Sequence, residues 1–330
     1  MNDKTCIGII TPSSAAPSFF VDRYNRGVSC LRSVGFDVIE GKYVTTRNGM
    51  TSATAKERAE DINEMFSNAN VSLVMATIGG HFSAETLPFI NWDAICASKA
   101  TLIGYSDITV LLNAIGVKAG KVVYYGPTLM TEIAEYPKAP PASINSLLSA
   151  LDKDDVHVVA HCDTLYSKGT DWALAPTERL QNVPVFSKTI RAGKCEGVVI
   201  GGCIESLERL RGTEYFPSFK NAILLLETSE DDFSELKWRN LLTDYSNLGI
   251  LDEVNGIVIG QKNWTINEVD KLSDMLIEAT EGREIPILYG LPFGHITPIA
   301  TVPLYATAIL DSVNQTLEYE KPFKYSYEGK

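Results

Sequence analysis

Short apolar runs recur along the first part of the chain, and longer segments with apolar residues at helical spacing separate them. The runs typical of buried strands lie at residues 6–10, 71–77, 101–104 and 122–125. Segments 20–34 and 54–69 predict amphipathic helices, and Thr54 with Glu57 matches a capping box at the start of the second helix. Strands that alternate with helices pair in parallel, so this part predicts an open α/β sheet.

The rhythm breaks between residues 137 and 194, a polar stretch with several prolines and one predicted helix. Apolar runs resume at 197–201, 222–226, 256–260 and 287–289, with helical patterns at 233–248 and 266–279 and a predicted closing hairpin at 301–310 and 316–320. The pattern therefore predicts an N-terminal open parallel-sheet (Rossmann-like) domain over residues 1–150 and an interdomain linker and loop over 151–195. A second, C-terminal α/β domain with a mixed sheet follows over 196–330.

Composition and charge narrow the class of protein. The 330 residues are 45% apolar and 21% charged, as in globular proteins, and the formal net charge is −12. This acidic balance argues against nucleic acid and anionic membranes as partners and favours a small-molecule or peptide ligand. No apolar run reaches membrane-spanning length and no signal-peptide pattern is present, so we expect a cytoplasmic protein. The six cysteines are scattered and predict free thiols.

The sharpest local pattern for chemistry surrounds Ser106. The apolar run at 101–104 leads into Gly-Tyr-Ser and a helical pattern begins at once, which predicts a tight strand-to-helix turn. Such an elbow exposes the hydroxyl above the sheet and directs the N–H of Asp107 towards the group under attack. The alternative interpretation is that Ser106 only caps the following helix, because serine is favoured there and the full G-x-S-x-G motif is missing.

A serine hydroxyl needs a base to become a nucleophile, and the chain has four histidines, His81, His157, His161 and His295. His157 and His161 lie in the polar stretch, where we expect them to be solvated. His295 lies in a loop after an apolar run, and His81 follows two glycines at another strand end. On the residues alone both stay candidates for the base, although a loop histidine is often only a surface residue.

Glu227 is the candidate carboxylate for orienting a histidine. It directly follows the wholly apolar run at 222–226, and ligand sites of α/β sheets form at the carboxyl ends of strands. The alternative is a surface or helix-capping glutamate. Gly79 and Gly80 also follow a strand, where they form either an ordinary turn or a close approach of bare N–H groups, including a second oxyanion donor beside Asp107. No H-E-x-x-H, P-loop or other metal-spaced set occurs, so the motifs support neither metal nor nucleotide-triphosphate chemistry.

Ordered motifs through nearly the whole chain resemble the LD-carboxypeptidase family of serine peptidases, which includes the microcin C immunity peptidases. These motifs are Thr11-Pro12-Ser13-Ser14, Arg58-Ala59, Ile78-Gly79-Gly80, Gly104-Tyr105-Ser106-Asp107, Tyr125-Gly126-Pro127, Gly201-Gly202, Gly212-Thr213, Leu226-Glu227, Gly294-His295 and Val302-Pro303-Leu304. The resemblance implies a triad at the domain interface, with Ser106 as nucleophile, His295 as base and Glu227 as its partner. It also implies an oxyanion hole formed by the N–H groups of Gly80 and Asp107, a homodimer, and no cofactor.

Departures from the family pattern concern the pocket rather than the triad. Cys203 stands where the family has asparagine after Gly-Gly, and Tyr305 stands where glycine is usual. His81 follows the glycine pair in place of the Tyr-Gly that we associate with murein enzymes. That difference, with Trp172 in the polar stretch, is more similar to the microcin immunity branch.

We therefore predict a small peptide or a peptidyl-nucleotide as substrate, contacted by Gly79, His81, Trp172 and Cys203. Trp172 either anchors its segment by packing or offers a flat face to a purine. Cleavage of murein tetrapeptide is the alternative substrate class. A non-catalytic ligand-binding protein on the same scaffold is the alternative from outside the enzymes.

Overall fold

The computed structural model describes residues 5–152, 156–167, 169, 171–327 and 329, and it contains two large β-sheets with helices packed around them. In chain order the strands are β1 (Cys6–Ile10), β2 (Asp37–Glu40), β3 (Leu73–Ala76), β4 (Thr101–Gly104), β5 (Val123–Tyr125), β6 (His157–Ala160), β7 (Thr164–Tyr166), β8 (Gln181–Pro184), β9 (Lys188–Arg191), β10 (Lys194–Cys203), β11 (Ala222–Glu227), β12 (Gly256–Gly260), β13 (Ile287–Leu291), β14 (Val302–Leu304), β15 (Thr307–Asp311) and β16 (Thr316–Tyr319).

The α-helices are α1 (Ala16–Phe19), α2 (Val21–Val34), α3 (Ala55–Ser67), α4 (Trp92–Ala97), α5 (Thr109–Ala119), α6 (Pro141–Leu151), α7 (Ile204–Leu207), α8 (Glu235–Asn247), α9 (Ile250–Glu253) and α10 (Ile266–Ala279). The capping box predicted at Thr54 and Glu57 is present at the start of α3, with both reciprocal hydrogen bonds formed. In the described part of the chain, none of these helices has the length and apolar character needed to cross a membrane.

The first sheet has the strand order β14-β5-β4-β3-β1-β2, and its strands β1 to β5 are parallel. Its central strands are buried on both faces: Ile7 and Ile9 pack in one apolar cluster, while Cys6 and Ile10 pack in the other. This alternation follows from the two-residue period of a strand, and covering helices explain why the sequence shows continuous apolar runs here. The predicted parallel α/β sheet is confirmed.

The closing hairpin predicted at 301–310 and 316–320 is only partly correct. Strands β15 and β16 form an antiparallel pair in the second sheet. Strand β14, however, pairs with β5 on the edge of the first sheet, with Val302 opposite Tyr125 and Leu304 opposite Val123. Its Pro303 lacks an N–H, and an edge strand is where a sheet tolerates that loss.

The second sheet has the strand order β6-β16-β15-β10-β11-β12-β13-β9. Strands β10 to β13 are parallel, and antiparallel strands flank them on both sides, so the sheet is mixed as predicted. Both edge strands, β6 and β9, come from residues 151–195, the segment that the sequence pattern assigned to a linker and loop. Each of these strands has only four residues and is at most partly buried, so neither gives the long apolar run that is typical of a central strand.

The prediction that His157 is solvated is wrong. Its side chain is buried in β6, where its Nε2 lies 2.7 Å from the carbonyl oxygen of Thr301 and its Nδ1 lies 3.0 Å from Oγ of Ser149. His161 is half-buried, with its Nδ1 3.3 Å from the carbonyl oxygen of Gly290. Both histidines therefore make hydrogen bonds within the fold, whereas the polar sequence around them suggested that they face solvent.

Helix α5 joins the two sheets at the ends of their strands. It follows β4, and most of its residues are buried. The Nδ2 of Asn113 donates to the carbonyl oxygen of Gly201, and the N–H of Cys203 donates to Oγ1 of Thr109, so the end of β10 is held against the helix. The carboxyl ends of strands from both sheets therefore meet around the start of α5, which is where α/β folds place their sites.

Candidate active site

Ser106 lies on the turn between β4 and α5 with a backbone φ of 63°, which non-glycine residues seldom adopt. The turn continues as a short 3₁₀ segment, Ser106–Ile108, and runs directly into the helix. A Cβ on Gly79 would lie 2.8 Å from Cβ of Ser106, so only glycine fits beside this turn. A strained serine at a strand-to-helix elbow is the geometry that presents a nucleophile above a sheet.

His295 lies between Ser106 and Glu227. Its Nε2 is 2.9 Å from Oγ of Ser106, while its Nδ1 is 2.9 Å from Oε2 and 3.1 Å from Oε1 of Glu227. With Nδ1 protonated and donating to the carboxylate, Nε2 is free to accept the serine proton. The three predicted residues, which are distant in sequence, are therefore brought together in the order hydroxyl, imidazole, carboxylate.

The Glu227 carboxylate ends β11 and is completely enclosed. Tyr125 donates its hydroxyl to Oε1 at 2.5 Å, and the backbone N–H of His295 donates to Oε2 at 3.3 Å. Gly294, with a φ of 101°, makes the close approach possible, because a Cβ there would lie 2.6 Å from Oε2. Hydrogen bonds to both oxygens thus hold the carboxylate in place beside the imidazole.

Charge pairing sets the protonation of His295 and Glu227. Burial alone would lower the pKa of His295, but the Glu227 charge and hydrogen bonds outweigh it and raise this pKa above its usual value. Burial alone would raise the pKa of Glu227, but His295, Tyr125 and the nearby Lys262 charge together keep it below its usual value. Glu227 is therefore ionised at neutral pH and stabilises an imidazolium when His295 takes up a proton.

The loop that carries Gly79 and Gly80 lies against the turn that carries Ser106 and Asp107. A Cβ on Gly79 would lie 3.2 Å from the Asp107 nitrogen, so the loop after β3 passes directly over the start of the 3₁₀ turn. Within the described ranges, the Gly80 N–H donates to no protein acceptor. Two backbone donors beside a nucleophile have the composition of an oxyanion hole.

A cavity of about 520 Å³ opens beside His295. Tyr105 forms part of its wall, with its ring edge-on to the imidazole at 5.1 Å between centroids. Trp172 lines the same cavity, and the Arg23 guanidinium lies 4.2 Å from the centre of its ring. Burial raises the pKa of Glu132, another wall residue, to about 7, so the charge of this cavity changes near neutral pH.

Comparison with known proteins identifies the family. Residues 7–126 match the LD-carboxypeptidase N-terminal domain, and residues 196–310 match the LD-carboxypeptidase C-terminal domain. The chain is 30% identical to the microcin C7 self-immunity protein MccF of Escherichia coli, over 96% of this chain and 93% of the relative. The chain belongs to the LD-carboxypeptidase family. The predicted resemblance and the prediction of a serine peptidase are confirmed.

Other members of the LD-carboxypeptidase family extend the comparison. The murein tetrapeptide carboxypeptidase of Pseudomonas aeruginosa is 27% identical, and the match covers 92% of each chain. The structure of MccF with glutamyl sulfamoyl guanosine superposes with a TM-score of 0.86 at 28% identity, covering 98% of each chain. The structure of MccF with aspartyl sulfamoyl adenosine gives the same TM-score at 29% identity, covering 97% of each chain.

Two residues predicted to contact substrate lie away from the open cavity of this LD-carboxypeptidase. His81 is exposed, and among the described contacts its ring neighbour is Phe82 rather than Ser106. Cys203 is buried beside Glu227 and His295, where its thiol donates to Oε2 of Glu205 at 2.9 Å. Gly79 packs directly against Ser106, and Trp172 lines the cavity, so the contact of either residue with a substrate stays a prediction.

The fold also brings together a set of possible metal ligands that the sequence spacing does not reveal. One ligand atom each from Cys203, Glu227 and His295 lies within 4.8 Å of the others. Glu227 and His295 are already hydrogen-bonded to each other, and burial raises the pKa of the Cys203 thiol, which favours its protonated form. Hydrogen bonds thus already use all three of these possible ligands.

Sequence reasoning missed several residues that hold the site. Tyr125 belongs to a quoted family motif, but nothing local indicated that its hydroxyl reaches Glu227. Lys262 is buried, lines the cavity and donates to the carbonyl oxygen of Thr228 at 3.2 Å. Lys262 comes shortly after β12, just as Glu227 ends β11. Because ligand sites of α/β sheets form at the carboxyl ends of strands, its position in the sequence could have identified it.

Proposed function

We propose that the chain hydrolyses an acyl linkage of a small peptide or aminoacyl-nucleotide through a Ser106–His295–Glu227 triad. The observation that carries the proposal is the continuous hydrogen-bonded line from Oγ of Ser106 through the imidazole to the Glu227 carboxylate. The strained backbone of Ser106 at the elbow supports its role as nucleophile, because such strain persists where function requires it.

In the proposed reaction, Nε2 of His295 accepts the Ser106 proton as Oγ attacks the substrate carbonyl carbon. The carbonyl oxygen becomes an oxyanion, which the N–H groups of Gly80 and Asp107 stabilise. The imidazolium then gives its proton to the leaving nitrogen, the bond to that nitrogen breaks, and an acyl-enzyme forms. Water attacks the ester with His295 again as base, which releases the acid and restores the serine.

Glu227 contributes by holding the imidazole rather than by accepting its proton. Its depressed pKa favours the ionised form throughout the cycle, and the Tyr125 hydroxyl keeps the carboxylate oriented. The growing positive charge on His295 therefore meets a fixed negative charge in a buried setting, where such an interaction is stronger than in water.

For the substrate, we propose an aminoacyl-nucleotide in preference to murein tetrapeptide. The solved structures that this chain resembles include MccF complexes with glutamyl sulfamoyl guanosine and aspartyl sulfamoyl adenosine. In this chain Trp172 lines the cavity beside His295, and Arg23 and Arg179 lie along the same wall. An aromatic face with neighbouring guanidinium groups suits a base with a negatively charged linker.

Two substrates separate the candidates. Purified protein is incubated with aspartyl sulfamoyl adenosine or with murein tetrapeptide, and release of free amino acid is followed by mass spectrometry. We expect faster release from the nucleoside, whereas faster release from the tetrapeptide would assign the chain to murein cleavage. A fluorophosphonate that labels wild type but not Ser106→Ala would support the hydrolase, and failure to label or cleave anything would favour the ligand-binding alternative.

The homodimer and the cytoplasmic location implied by the resemblance and by the sequence stay proposals. One chain has a mass of 36.2 kDa, so light scattering distinguishes the monomer from a particle of twice that mass. Fractionation of cells that express the untagged protein tests the location. Recovery of the protein outside the cytoplasmic fraction would contradict that part of the proposal.

A further inference from the structure

The side chain of Asp107 is fully buried next to the nucleophile, although only its backbone N–H takes part in the proposed reaction. Its Oδ2 accepts hydrogen bonds from the Ser13 hydroxyl at 2.7 Å and from the Ser83 N–H at 2.8 Å. Its Oδ1 accepts from Nη1 of Arg209 at 2.8 Å. One carboxylate thus connects three segments that are far apart in the sequence.

These bonds fix the loop that carries Gly80. The loop begins at Gly79, whose carbonyl oxygen accepts from the N–H of Ser14, and it is held again where the Phe82 N–H donates to Oγ of Ser13. A Cβ on Gly80 would lie 2.6 Å from that same oxygen, so the loop has no free space beneath it. Gly80 therefore sits between two anchors, and Ser13 takes part in both the loop contact and the Asp107 contact.

Arg209 adds a contact from the other half of the chain. It belongs to the short 3₁₀ segment Glu208–Leu210, which follows β10 and α7 in the part that carries Glu227 and His295. Its side chain is 37% exposed, whereas the Asp107 side chain is completely buried. A buried carboxylate needs such partners because an uncompensated charge is costly in the interior.

We propose that the Asp107 carboxylate is a positioning residue that holds the two oxyanion-hole N–H groups at their working separation, with Arg209 as its support from the second half. The inference rests on the proposed function. Oxyanion donors act only within a narrow distance range, so a small shift of the Gly80 loop weakens transition-state stabilisation more than substrate binding.

The test uses Asp107→Asn, Ser13→Ala and Arg209→Gln, with Arg239→Gln as the matched control. Arg239 forms an exposed ion pair with Glu235 on α8, outside the proposed site. For each variant, kcat and KM are measured on aspartyl sulfamoyl adenosine, together with the melting temperature. Affinity for a dipeptide boronic acid, which forms a tetrahedral adduct with a serine, reports the oxyanion hole. Affinity for the intact substrate is measured in the Ser106→Ala background.

We expect Asp107→Asn to lower kcat by about 10- to 100-fold, less than the roughly 10²- to 10³-fold cost of removing a donor outright. An asparagine presents an NH₂ group either to Arg209 or to the donors of Ser13 and Ser83. In either orientation two donors face each other, so the hydrogen bonds on one side of the side chain are lost. Arg209→Gln and Ser13→Ala should cause smaller losses in kcat. Boronic acid affinity should fall in parallel, substrate affinity should stay within about twofold, and the control should match wild type.

Wild-type kcat in folded Asp107→Asn would overturn the inference, as would equal losses of boronic acid and substrate affinity. If Asp107→Asn does not fold, Arg209→Gln decides, because its side chain is partly exposed, and wild-type kcat there contradicts the proposal. Activity retained by Ser106→Ala would refute the proposed function and this inference with it. An inactive Ser106→Ala beside a fully active Asp107→Asn would refute the inference alone.

Discussion

Replacing Glu227 by glutamine should inactivate the protein by changing the imidazole tautomer. The amide has two orientations in the site. With its NH₂ towards Tyr125, the amide faces a hydroxyl that donates to Oε1 at 2.5 Å in the wild type, and that hydroxyl loses its acceptor. With its NH₂ towards His295, it loses only the long 3.3 Å bond from the backbone N–H and donates to Nδ1 instead. The second orientation costs less, and it places the histidine proton on Nε2, where no serine proton can be accepted.

The magnitude follows from these contacts. A buried donor left without a partner costs about 1–3 kcal/mol, and the shorter bond of Tyr125 makes it the more expensive one to lose. In serine proteases whose triad carboxylate is an aspartate, the same acid-to-amide change selects the wrong tautomer and lowers kcat by about 10⁴-fold, and we expect a similar loss here. Without the carboxylate charge, burial also lowers the pKa of His295, so residual activity should extend to lower pH.

The decisive assay compares Glu227→Gln with the double variant Tyr125→Phe/Glu227→Gln. Removing the hydroxyl abolishes the preference of the amide for one orientation, so part of the population regains the productive tautomer. The double variant should therefore be about 3- to 10-fold more active than the single variant, a difference of about 1 kcal/mol. A double variant less active than Glu227→Gln, or a single variant within tenfold of wild type, would refute the reasoning.

Three further outcomes follow from the site. Ser106→Ala should fold normally and lose at least about a thousandfold in kcat, and adding His295→Ala to that variant should lower kcat little further. His81→Ala should have nearly wild-type kcat, and a large loss there would contradict the choice of base. Trp172→Ala should raise KM for aspartyl sulfamoyl adenosine by about 5- to 100-fold and spare murein tetrapeptide, whereas equal losses on both would mark a structural residue. His295 must be neutral to act as a base, and its pKa is raised above 6.5, so kcat/KM should fall as the pH drops through a midpoint above that value. The variant Glu132→Gln removes the other group that titrates in the cavity near neutral pH. A midpoint below 6.5 in that variant would contradict the pairing of His295 with Glu227.

Buried strands and capped helices were predictable because their signals are local. The apolar run at 101–104 corresponds to β4, and the capping box at Thr54 starts α3 as expected. Strands β6 and β9 were missed because a half-exposed edge strand of four residues gives too short an apolar signal. Strand β14 was assigned to the wrong sheet, since nothing in three residues encodes a partner almost 180 positions earlier in the chain.

The same distinction applies to the candidate site. Ser106 and Glu227 were found from their positions at strand ends, which are local patterns. On the residues alone His295 could not be separated from His81; the family resemblance made that choice. The contacts of Tyr125 with Glu227 and of Arg209 with Asp107 join residues 102 apart in the chain, so only the folded structure reveals them.

The edge position of β14 makes the two halves mechanically interdependent. The chain leaves the loop of His295, crosses to the first sheet for residues 302–304, and returns to the second sheet at residue 307. The segment therefore ties the loop that carries His295 to the sheet whose strand β4 leads into Ser106. A chimera could combine the part matching residues 1–126 from one relative with the part matching residues 196–310 from another. It would have to preserve the pairing of β14 with β5 as well as the contacts around the active site. The two halves are thus not freely interchangeable between relatives.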